Sequence, residues 1–128
     1  MPVVKNKYRT KKEYSIVMGE LLTAARYRGY VTYQELANLL GLPVKGSHMG
    51  AQLGHVLGEI SEDEVIQGRP MLSALAVNVG GQPGPGFFAL AEKLGLFKGG
   101  SREEQEAFWQ QTREDLYSIW KRRLHGAS

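Results

Sequence analysis

A chain of 128 residues, 42% hydrophobic and 23% charged, holds enough apolar material for one domain with a real core and too little for two. It has no cysteine, which excludes disulfides, thiol nucleophiles and thiolate metal sites, and no run approaches the roughly 18 apolar residues of a membrane span. The net charge of +3 is unevenly placed: Lys5, Lys7, Arg9, Lys11 and Lys12 precede the first acid, Glu13, while Lys121, Arg122 and Arg123 cluster near the other end.

Thr10 and Glu13 have capping-box spacing, and Tyr14, Val17, Met18, Leu21 and Ala25 recur at helical intervals, which predicts a first helix from about Lys11 to Arg28. Tyr30 and Val31 suit a very short strand. Thr32 and Glu35 repeat the capping box and open a second helix to about Leu40. There Gly41 supplies the left-handed residue that ends a helix, and Pro43 blocks its return.

From Gly46 to Ile60 the sequence GSHMGAQLGHVLGEI predicts a third helix with three faces. Met49, Leu53, Val56 and Ile60 form an apolar stripe, Gly50, Gly54 and Gly58 a stripe without side chains, and His48, Gln52, His55 and Glu59 a polar one. Each mid-helix glycine costs about 1 kcal/mol relative to alanine, so the glycine stripe implies close approach by another helix or by a ligand backbone. An acidic knot, Glu62, Asp63 and Glu64, follows. Met71 to Val79 is continuously apolar and reads as a buried strand. Gly80 to Gly86, GGQPGPG, reads as a wing or hairpin tip, and Phe87 to Leu94 as a short amphipathic helix or a strand-to-helix passage. After a linker, Ser101 and Glu104 make a third capping box. It opens a long helix whose Phe108, Trp109, Thr112, Leu116, Ile119 and Trp120 form a face that docks on the body or on a partner subunit.

Residue chemistry suggests several candidate sites. A helix after a tight turn can lie in the major groove, where Gln52 would pair with adenine and His48 and His55 would flank it; the same face also suits plain solvation. His48 and His55 are two turns apart and reach a common metal poorly, so no metal site is expected. Ser73 lacks a nucleophile elbow and reads as a core hydroxyl. The Gly80 to Gly86 loop lacks the lysine and serine of a phosphate loop and reads as a structural turn. Trp109 and Trp120 share the helical stripe of Leu116 and read as packing residues.

The order V-T-Y-x-E-L-A-x-L-L-G-L-P from Val31 to Pro43, a helix containing Leu53-Gly54, then Arg69-Pro70, Val77-Asn78 and a glycine-rich wing resembles the winged-helix domain of DNA alkyltransferases and alkyltransferase-like proteins. The resemblance covers about Gly29 to Gly86. It implies a DNA role for Tyr33 and for the helix from Ser47. The acceptor motif Pro-Cys-His-Arg has no counterpart, since Leu72-Ser73-Ala74-Leu75 occupies that region, and the family's inserted arginine falls near Ala51. Alkyl transfer is therefore excluded.

The expected protein is α+β and mainly helical, with a winged-helix-like helix-turn-helix, a small β-hairpin and a long C-terminal helix. Residues 1–12 form a basic arm, 13–97 the core, and 98–128 a linker and amphipathic helix packed on it. The expected function is non-catalytic binding of double-stranded DNA, regulatory or repair-associated, in the cytoplasm, without cofactor, metal or membrane. The contact residues are Lys5, Lys7, Arg9, Lys11, Lys12, Tyr33, Lys45, Ser47, His48, Gln52, His55, Arg69 and Gln82. The alternative is a protein-interaction module working by self-association, as in a homodimer, or by partner docking without nucleic acid.

Overall fold

The structure, a computed structural model, describes residues 2–42 and 47–122, with the backbone alone at 47–49. It is mainly helical: α1 (Lys12–Arg26), β1 (Val31–Thr32), α2 (Tyr33–Leu40), α3 (Ser47–Ile66), a 3-10 turn (Leu72–Leu75), β2 (Ala76–Val77), α4 (Pro85–Lys93) and α5 (Arg102–Trp120). α1 buries Val17, Leu21, Ala24 and Ala25. It starts one residue later than the Thr10 box would place it, after Lys11, which makes no side-chain cap. A turn in which the Lys11 amide donates to the Tyr8 carbonyl at 2.9 Å leads into it instead. α1 also ends early, because Arg28 turns left-handed (φ 58°) and the Gly29 amide bonds back to the Ala24 carbonyl at 2.8 Å.

The Thr32–Glu35 and Ser101–Glu104 capping boxes both form, and Gly41 ends α2 in the left-handed conformation (φ 70°). α3 runs six residues beyond the expected Ile60, so the acidic knot lies on the helix itself. The expected Met71–Val79 strand is mostly replaced by the 3-10 turn, whose Leu72, Ser73, Ala74 and Leu75 are all buried among α1, α3 and α5. A continuous apolar run suits any element buried on every side, so its composition did not separate the two.

β1 and β2 pair in parallel, Val31 with Ala76 and Thr32 with Val77, where a hairpin was expected. The chain after β2 does turn back, but it makes a single antiparallel bridge, Val77 with Pro83. Proline has no amide to extend a ladder. The turn is closed by Asn78, whose amide donates to the Gln82 carbonyl at 2.9 Å and whose Oδ1 accepts the Gly80 and Gln82 amides at 2.9 and 3.1 Å. Leu21, Leu36, Leu53, Ile60, Met71, Leu72, Leu75 and Leu116 make the core, and α5 is tied to it by Trp109, whose indole donates to the Ala74 carbonyl at 2.8 Å. No helix among the described residues is long and apolar enough to cross a membrane.

Candidate functional site

The glycine stripe of α3 divides into a closed and an open part. A Cβ at Gly58 would meet the Val4 side chain at 3.5 Å and Leu90 at 3.9 Å, so the N-terminal segment and α4 fill that end. At Gly50 and Gly54 a Cβ would meet nothing within 4 Å. These two glycines floor a groove of about 700 Å³. One wall is Val3, Val4 and Lys5; the other runs from Tyr33 through Gly84 to Phe87, Leu90 and Lys93.

Tyr33 and Gly84 set the geometry of the second wall. The Gly84 amide donates to the Tyr33 hydroxyl at 3.2 Å, and a Cβ on Gly84 would lie 2.5 Å from that oxygen, so no side chain fits there. Burial raises the Tyr33 phenol above its ordinary range, against the opposing pull of the Gly84 amide. The hydroxyl is therefore neutral at physiological pH. Its own proton bonds no acceptor among the described residues, which leaves a donor on the groove wall.

The other face of α3 is covered. Residues 3–9 lie across it as a strap held by its carboxylates. Glu62 accepts the Val3 and Val4 amides at 2.5 and 3.1 Å, and Glu59, fully buried, accepts the amides of Lys7 and Tyr8, the latter at 2.9 and 3.0 Å. Arg9 folds back over both. Its Nε donates to Asp63 at 2.9 Å, and its Nη atoms reach Glu62 at 2.7 Å and the Val4 carbonyl at 3.1 Å. The Tyr14 hydroxyl donates to Asp63 at 2.6 Å; burial first, and the Asp63 carboxylate second, push this phenol well above its ordinary range. His55 completes the seam through the bond between its Nε2 and the Lys5 carbonyl at 2.7 Å, with its ring edge-on to Tyr8. A carbonyl only accepts, so Nε2 carries the proton.

This arrangement sorts the residues singled out in the sequence. Lys5 and Tyr33 come together at the groove. Lys7, Lys11 and Lys12 are exposed, and Lys12 borders a smaller cavity of about 270 Å³ together with the half-buried Gln52. Gln82 is exposed in the Asn78 turn. Arg9 and His55 are engaged in the strap. Arg69 donates twice to Glu64 at 2.9 Å, while its guanidinium stacks on Trp120 at 5.6 Å. Lys45 and the side chains of Ser47 and His48 lie outside the described residues. Ser73 is buried in a hydroxyl pair, accepting from Ser61 at 2.8 Å while its amide donates to the Ser61 hydroxyl at 3.1 Å.

The sequence did not single out Gly84 and Lys93 as site residues. The glycine- and proline-rich loop was the signal for Gly84, but the partner that makes it matter, Tyr33, lies 51 residues away. Among the described residues no group of His, Asp and Glu side chains could hold a metal ion. The chain matches no protein-family model, no curated protein and no solved structure.

Proposed function

We propose that this chain is a non-catalytic double-stranded DNA-binding protein of winged-helix character, regulatory or repair-associated, whose contact surface is the glycine face of α3. The observation that carries the reading is the bare backbone at Gly50 and Gly54 beside a wall bearing the Tyr33 hydroxyl, whose proton has no acceptor among the described residues, with Lys5 and Lys93 also lining the groove. A strand of phosphates can approach such a helix more closely than one clothed in side chains. The succession of α2 and α3 in the chain also supports it, as does the tight Asn78 turn with Gln82 at its exposed edge, beside β2. Arg9, Arg69 and His55, bonded within the protein, are left out of this interface. Lys5 remains in it, lining the groove, and the exposed Lys7, Lys11 and Lys12 of the N-terminal segment supplement it from outside the glycine face.

A titration of labelled duplex by fluorescence anisotropy at several salt concentrations tests the reading. Removing one phosphate-binding cation lowers the salt slope by about 0.9. Neutralising Lys5, Lys7, Lys11 and Lys12 together therefore flattens the dependence of log Kd on log salt, and an unchanged slope removes them from the interface. The second reading, a protein-docking module, is favoured by the apolar groove walls, Val3, Val4, Phe87 and Leu90. Partner capture that persists at high salt, without duplex binding at low salt, would select it.

A further inference from the structure

A second surface, where the C-terminal end of α1 meets α5, has a composition unlike the groove. Tyr27 and Tyr30 are 59% and 49% exposed. Each carries an arginine at its hydroxyl end. Arg122 lies 5.7 Å from the Tyr27 centroid and Arg113 lies 5.3 Å from that of Tyr30, and each guanidinium also donates to the hydroxyl of its tyrosine. Arg113 continues onto Trp109 at 4.1 Å, and Arg28 onto Tyr117 at 4.9 Å, while the Tyr117 hydroxyl donates to the Gly29 carbonyl at 2.9 Å. The Arg122 amide reaches the Arg26 carbonyl at 3.4 Å, which joins the two ends into one surface.

The turn that displays these rings is itself unusual. Arg28 occupies the left-handed position after a helix, which glycine normally fills, at a cost of about 1 kcal/mol for a residue with a Cβ. Its guanidinium is exposed and bonds Glu114 at 3.3 Å. Arg26, Arg28, Arg113, Lys121 and Arg122 gather here, so the surface carries a positive excess over Glu114.

We propose that this arginine–tyrosine surface is a stacking platform for single-stranded nucleic acid. A half-exposed ring pinned at its hydroxyl by a guanidinium offers a face to a planar base, and the surrounding cations answer the phosphates. Bases within a duplex are already stacked on both faces, so exposed rings of this kind suit unpaired nucleotides. Exposed Tyr and Arg also occur at protein hot spots. The positive excess favours a polyanion. The platform is separate from the α3 groove and does not depend on what the groove binds.

The test is an anisotropy titration of the full chain with labelled oligodeoxythymidylate and oligouridylate at low salt. We expect binding of at least one oligomer; the deoxy and ribo arms report which sugar is preferred. Tyr27→Ala with Tyr30→Ala weakens it about tenfold or more, whereas Tyr27→Phe with Tyr30→Phe, which keeps the rings, leaves it nearly unchanged. Should the alanine variant lose its fold by circular dichroism, Lys121→Glu with Arg122→Glu serves instead, and lowers both the affinity and the salt slope. Gly54→Leu, which fills the groove, leaves oligomer binding intact. Absence of binding by the intact chain at low salt overturns the proposal. So does affinity unaltered by the alanine and glutamate changes, or salt-insensitive self-association through the same tyrosines.

Discussion

The two ends of α3 meet the rest of the protein in opposite ways. Around Gly50 and Gly54 the backbone is bare beside a groove; around Glu59, Glu62 and Asp63 it is overlaid by residues 3–9, held by main-chain amides and one arginine. Charge density alone would locate the function at the second end, where acids and bases are thickest. There the charges bond one another and the strap amides, and they form a structural seam. The site candidate is the end with the fewest side chains, where open space adjoins the Tyr33 hydroxyl. What distinguishes the two ends is whether polar groups already have partners, and not how many there are.

That contrast can be broken from the structural side first. Arg9→Ala leaves Glu59 and Glu62 facing the strap without their guanidinium, and removing one partner of a buried ion pair costs about 3 to 5 kcal/mol. A urea melt should show that loss, and a change below about 1 kcal/mol would mean that the amides alone hold the strap. Gly84→Ala drives a methyl into the Tyr33 hydroxyl, an overpacking expected to cost about 1 to 3 kcal/mol and to displace the groove wall. The same melt would register it. The Tyr14 prediction is smaller and concerns pH. Its phenol titrates higher in the folded protein than in the unfolded chain, so its contribution to stability is present at neutral pH and is lost as pH rises past the ordinary phenol range near about 10. Stability measured from neutral to alkaline pH should fall less steeply in Tyr14→Phe than in the parent, and identical profiles would remove this coupling.

Local chemistry made some elements legible and long-range pairing hid others. α2 was readable because its box and its Gly41 stop lie within a few residues of one another. The Thr10 box failed because Glu59, 51 residues from Tyr8, captures the amide there and sets a different entry to α1. At the site, the glycine stripe and Tyr33 were visible as spacing and as a motif. Arg9 looked like a free phosphate ligand because its partners, Glu62 and Asp63, lie more than fifty residues further along the chain. Lys93 carried no local signal at all and reaches the groove only because α4 packs against α3.

The most direct test of the groove is Gly54→Leu, assayed with the parent for duplex binding and for thermal stability. A Cβ at this position meets open space, and leucine favours a helix over glycine by about 1 kcal/mol. If the groove binds duplex, the variant is at least as stable as the parent and binds at least about tenfold more weakly, a loss of about 1.4 kcal/mol in binding. A stable variant with the parent's affinity would contradict this and remove the glycine face of α3 from the interface.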